Sequence, residues 1–148
     1  EACHIYDLFT YLIGSRVKSV TAQAISPATA YYSATDNFVA TCTFADGSLA
    51  TLTYTALGSR DYPKEKLEVF VDGITIAMDD FKSLEVKGAK ASGFTTKLTE
   101  KGQKEELAAF ADAVIKGGKW PIQLWEQIQA TEIALQVDSC LAGAAVVA

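Results

Sequence analysis

From His4 to Ile13 apolar residues recur at Ile5, Leu8, Phe9, Leu12 and Ile13. That spacing follows the turn of an α-helix and predicts one buried face. Gly14 comes next and fits the left-handed position that ends many helices. A strand is expected from about Val17 to Ile25, followed by a loop through "SPATAYYSATD".

The period then changes to two. In "NFVATCTF" Phe38, Ala40, Cys42 and Phe44 fall on one face, with Val39, Thr41 and Thr43 on the other. After "ADGS" comes "LATLTYTA", rich in β-branched and aromatic residues. An Asp-Gly pair between two such runs signals a hairpin. The signal recurs in "KLEVFVDGITIAMDD", where Leu67, Val69 and Val71 alternate before Asp72-Gly73 and Ile74, Ile76 and Met78 follow. A short strand at Leu84 to Val86 extends the meander. Successive hairpins imply antiparallel pairing, because parallel neighbours need long crossovers.

Two helical patterns close the chain. Gln103 to Ile115 is expected to bury Leu107, Phe110, Ala111 and Val114, ending at "GGK". Pro121 opens a longer helix through Leu124, Ile128, Leu135 and Val137 to about Leu141. Trp120 and Trp125 flank that proline and are expected to pack on the sheet. The fold class is therefore α+β, a mostly antiparallel, open-faced β-sheet with helices packed on one face. Val39, Leu52 and Tyr54 read as apolar positions on the other face, which would want a second cover, such as another copy of the chain.

The chain has 148 residues, enough for one domain. Its net charge of −5 and the lack of any Lys/Arg cluster among aromatics argue against a nucleic-acid partner. Cys3, Cys42 and Cys140 are scattered and odd in number, which reads as buried free thiols in a reducing cytoplasm rather than a disulfide or zinc framework. One histidine with dispersed carboxylates offers no convergent metal ligands. No apolar run reaches the roughly 18 residues of a membrane span, and the ending "LAGAAVVA" is about half that. The start has no basic stretch, so a signal peptide is not expected. It also lacks an initiator Met, which points to a fragment. No Gly-rich βα fingerprint appears, so no dinucleotide site is expected within this chain.

Two places carry candidate chemistry. His4 and Asp7, three apart, are neighbours on the first helix, where a carboxylate can orient an imidazole. A helix N-terminus disfavours imidazolium and keeps the base neutral. The other reading is an ordinary helix start whose Asp7 complements the positive helix end. The polar stretch "GSRDYPKEK" either reaches over a sheet edge to a ligand through Arg60, Tyr62 or Lys64, or is a solvated connection.

The segments "EACHIYDLFTYLIGS", "DNFVATCTFADGSLATLTY", "DYPKEKLEVFVDG" and "EKGQKEELAAFADAVIKGGKWPI", in that order and spacing, resemble the C-terminal domain of the Gfo/Idh/MocA oxidoreductases. The resemblance is nearest to bacterial sugar-nucleotide or bi-domain dehydrogenases, in which a "CHxxDL" helix and a "YPKE" strand entry recur. It implies that residues 1–148 are a substrate-binding and oligomerisation domain, inactive alone, of a cytoplasmic enzyme. An N-terminal Rossmann domain would bind NAD or NADP and supply a lysine. His4 would correspond to the residue that takes a proton from a sugar hydroxyl as hydride leaves the same carbon, with Asp7 in support. Homo-oligomers would form through the sheet face. Two departures stand out: the family's Asp four positions before the histidine would precede Glu1, and Gln103 stands where close relatives read "KGH". The alternative is a non-catalytic assembly module that retains the fold.

Overall fold

The computed structural model describes residues 1–144. In chain order these form α1 (Cys3–Ile13), β1 (Val17–Ala24), β2 (Asn37–Phe44), β3 (Leu49–Thr55), β4 (Lys66–Val71), β5 (Ile74–Asp79), β6 (Ser83–Lys87), β7 (Phe94–Thr95), α2 (Gln103–Lys116) and α3 (Leu124–Ala144). The last four residues of the "LAGAAVVA" ending lie outside the described residues, so the expected domain is followed only as far as 144. Every strand pair described is antiparallel, and the class is α+β as expected. The hairpins do not continue as one meander. They form a three-stranded sheet, β1-β2-β3, and a four-stranded sheet, β4-β5-β6-β7. The described residues divide accordingly into two compact units, one of 1–57 with 122–144 and the other Gly58–Pro121.

The first unit holds the core. Phe38, Ala40, Cys42 and Phe44 of β2 are all buried, as the period-two pattern requires. They pack with Tyr6 and Phe9 of α1 and with Ala130, Ile133, Val137 and Leu141 of α3. Each large apolar side chain so buried contributes roughly 1.5–3 kcal/mol. Gly14 ends α1 at φ 66°, and its N–H donates to the Thr10 carbonyl at 2.8 Å. The buried stripe of α1 runs through Tyr6, Phe9 and Thr10, while Leu12 is exposed. Helix α3 begins three residues after Pro121. The Glu126 carboxylate accepts from the Gln123 N–H, half of a capping box that sets the first turn. Its buried stripe is Ala130, Ile133, Val137 and Leu141, and Leu124, Ile128 and Leu135 lie exposed on the opposite side.

Gln129 joins three elements from the centre of this unit. Its Oε1 accepts from the Val17 N–H at 2.9 Å, and its Nε2 donates to Thr10 Oγ1 and to the Ser15 carbonyl, each at 3.1 Å. A buried amide with its partners in place locks the end of α1 and the start of β1 onto α3.

Register corrects one expectation about the sheet faces. Leu52 pairs with Ala40 and Tyr54 with Phe38, so both belong to the core face and not to the outer one. Cross-strand neighbours share a face, and Val39 alone of the three residues points outward. The outer face consists of the rows Ser19–Thr43–Leu49, Thr21–Thr41–Thr51 and Gln23–Val39–Thr53.

The second unit opens with the β4–β5 hairpin. Asp72 and Gly73 take φ 46° and 78°, the two positive values of the tight turn that Asp-Gly favours. Leu67, Val69, Ile76, Met78, Leu84 and Val86 share one face. No residue of 58–121 is buried. The expectation for α2 fails: Leu107 is 69%, Phe110 52% and Val114 57% exposed, and Ala111 is exposed too. An amphipathic pattern marks which face wants cover without supplying it, and α2 makes at most marginal contact with the strands of its own unit. Trp120 stacks on Phe110 with centroids 5.5 Å apart, and Trp125 carries the Arg16 guanidinium 4.4 Å over its ring.

Candidate functional site

The N-terminal end of α1 is placed by contacts on both sides. Tyr6 is held in the core, its ring edge-on to Phe9, and burial pushes its phenol up. Its hydroxyl is buried with no hydrogen-bond partner, so it acts as packing volume at a cost in unsatisfied polarity. With Tyr6 fixed inward, His4 lies on the exposed side and Asp7 is half-buried.

The imidazole has a defined orientation. His4 Nδ1 lies 2.8 Å from the Glu1 carbonyl oxygen. A carbonyl only accepts, so Nδ1 carries the hydrogen and, in the neutral ring, the basic lone pair sits on Nε2. Both His4 and Asp7 lie in the first half of α1. The Glu1 carboxylate is engaged in turn by β3: Tyr54 donates its hydroxyl hydrogen to Glu1 Oε2 at 2.8 Å. This bond is the first cause of a Tyr54 phenol raised above its ordinary value. Tyr54 itself stacks on the buried Phe38, with centroids 5.3 Å apart.

Arg60, Tyr62 and Lys64 all lie exposed in the connection between β3 and β4, in the second unit, whereas His4 and Asp7 belong to the first. Within that connection the Tyr62 N–H donates to the Ser59 carbonyl at 3.1 Å, and the Lys66 ammonium lies 4.6 Å over the Tyr62 ring. The Lys82 ammonium holds the Asp80 carboxyl below its ordinary value, aided by the Lys64 backbone N–H. Glu65 pairs with Lys101 at 2.8 Å. Local contacts thus shape this stretch, and Tyr62 and Lys64 take part in them.

The cysteines divide by position: Cys42 is buried, Cys140 half-buried and Cys3 exposed, all free. The expectation of buried thiols therefore holds for Cys42 and not for Cys3. Among the described residues no group of three or more His, Cys, Asp and Glu is placed to hold a metal, and no helix is long and apolar enough to cross a membrane. A shallow depression on the outer face of β1 and β2, lined by Thr21, Gln23, Val39 and Thr41, contains none of the expected site residues.

Sequence reading missed Tyr54 and left Glu1 without a role. Tyr54 is 53 residues from Glu1 in the chain. The sequence placed Tyr54 on the other face of the sheet, and only the register with Phe38 brings it to the core face beside the helix start.

Comparison with known proteins adds three findings. The family model described as the GFO/IDH/MocA C-terminal domain matches residues 2–77. No curated protein sequence matches the chain. Among solved structures, UDP-N-acetylglucosamine 3-dehydrogenase GnnA from Acidithiobacillus ferrooxidans superposes with a TM-score of 0.76 at 17% identity, over 96% of this chain and 46% of that one. Biliverdin reductase from Synechocystis sp. PCC 6803, solved with biliverdin and NADP+, gives 0.67 at 18% identity over 95% and 45%. The WlbA dehydrogenase from Bordetella pertussis, solved with NADH and UDP-GlcNAcA, gives 0.58 at 18% identity over 96% and 41%. At these identities the likeness is one of fold, and the chain spans less than half the length of each.

Proposed function

This chain belongs to the GFO/IDH/MocA C-terminal domain family, and on that premise we propose that it is the substrate-binding domain of a NAD(P)-dependent oxidoreductase acting on a sugar or sugar nucleotide, with His4 as its general acid/base. The observation that carries the reading is the His4 ring: exposed, with Nδ1–H given to the Glu1 carbonyl and Nε2 left as the basic nitrogen. Nε2 takes the proton of a substrate hydroxyl. The resulting imidazolium keeps its Nδ1–H bond and has the Asp7 carboxylate three residues along the same helix. Arg60, Tyr62 and Lys64 are proposed as substrate contacts, suited by charge to a phosphorylated sugar.

The nicotinamide cofactor, NAD or NADP, supplies hydride acceptance or donation when bound. This chain's own residues do not fit it. A dinucleotide cradle uses a parallel βα unit with a Gly-rich turn, and the described strands pair only antiparallel. The proposal therefore assigns the cofactor to a preceding nucleotide-binding domain and the enzyme to the cytoplasm. Homo-oligomerisation through a sheet face is part of it. The outer rows of β1–β3 carry no charged side chain, the depletion typical of interface centres. The presence of a biliverdin reductase among the structural relatives means that the fold alone leaves the substrate class to these side chains.

In the enzyme that joins this domain to its nucleotide-binding partner, His4→Gln is expected to slow the chemical step by about 10²–10⁴-fold. Because His4 is exposed, circular dichroism should show the variant folded. A single-turnover rate equal to that of the parent would overturn the catalytic role and leave a non-catalytic assembly module as the better reading.

A further inference from the structure

Two hydrogen bonds meet at Glu1, and together they link β3 to the His4 ring. The Glu1 carboxylate accepts the Tyr54 hydroxyl at 2.8 Å, and its carbonyl oxygen accepts His4 Nδ1–H at 2.8 Å. Glu1 lies outside α1, whose N-cap is Ala2; the first helical N–H bonds, from Ile5 and Tyr6, go to the Ala2 carbonyl. The helix ladder thus leaves the Glu1 peptide unit out, and its direction depends on contacts beyond the helix. Tyr54 provides a rigid one. Its ring is stacked on Phe38, a core residue, so its hydroxyl has a position set by the interior of the unit.

We infer that Tyr54 is a positioning residue for His4: through the Glu1 carboxylate it holds the Glu1 carbonyl against Nδ1 and so selects the tautomer with its lone pair on Nε2. The inference rests on the reading of His4 as the base only for its catalytic meaning; the tautomer itself is measurable without turnover. Other contacts of Glu1 and His4 add to the arrangement. Tyr54 is anchored by its stacking on the core residue Phe38.

The chain contains a single histidine, so one pair of imidazole ¹⁵N signals reports the tautomer without assignment ambiguity. The experiment records them on the 148-residue chain at a pH where the ring is neutral. The parent is expected to show mainly Nδ1–H. Tyr54→Phe keeps the ring stacking and loses the hydroxyl, and it should move the population toward Nε2–H, the form a solvated side chain prefers. Glu1→Ala should do the same. Glu1→Gln retains an oxygen that can accept from Tyr54 and should stay near the parent. In the complete enzyme, Tyr54→Phe is expected to lower kcat about ten-fold with KM little changed, the low end of the loss seen when the partner that orients a metal-bound histidine is removed. A Tyr54→Phe chain that is folded by circular dichroism and keeps the parent tautomer would overturn the inference. A shifted tautomer with an unaltered rate would uphold it while overturning the catalytic reading of His4.

Discussion

His4 and Cys42 show how strongly position decides what a side chain does. One has its ring at the surface, oriented by a backbone carbonyl. The other is fully buried, and burial raises its thiol from the ordinary 9.0 to about 11. The raised value favours the neutral thiol in the folded state. That contribution is complete below the unfolded value and is lost as pH climbs from 9 toward 11, because the unfolded chain releases its proton first. Tyr6, also pushed up by burial, pulls in the same direction. Stability should accordingly fall across this alkaline window. Cys42→Ala should flatten the fall by up to about 1.4 kcal/mol per pH unit, measured as the slope of unfolding free energy in urea titrations at stepped pH. A variant slope equal to the parent's would remove Cys42 as a contributor.

At the scale of elements, what local chemistry governs was legible in the sequence. Gly14 stops α1, Asp72-Gly73 turns the hairpin, and the alternation of β2 places four side chains in the core. What depends on distant partners was not. Leu52 and Tyr54 looked outward until the register with β2 was known, and no local pattern shows that Gln129 would serve three segments. That His4 and Asp7 share helix α1 was legible from their spacing, whereas the Tyr54–Glu1 bond required contact across the fold. Helix α2 is the clearest case, since its apolar spacing is genuine while its side chains are exposed. Leu107→Lys should therefore change the unfolding free energy of this chain by no more than about 0.5 kcal/mol. Phe44→Ala, in the core of the first unit, should cost about 3–5 kcal/mol. A loss at Leu107 comparable to that at Phe44 would mean that α2 is covered in solution.

For the molecule as a whole, the division into two units implies unequal resistance to opening. Among the described residues the buried ones all belong to residues 1–57 and to α3, and none to 58–121. Amide hydrogen exchange should be slowest in β2, whose strand is paired on both sides and backed by the core. Amides of β4–β7 should exchange through a lower-energy, partial opening. Uniform protection across both sheets would contradict this and require one cooperative unit.

The bond between Val17 and Gln129 bridges 112 residues, and this has a consequence for biosynthesis. A chain emerging from the ribosome presents α1 and the first sheet long before α3 exists. Until Gln129 and Ile133 are out of the exit tunnel, the apolar face of β2 has nothing to close against except α1. Closing so long a loop is also entropically slow. Residues 1–57 must wait, exposed, through translation of the entire inserted unit, so a stall before residue 122 strands them in a form that chaperones and proteases will recognise.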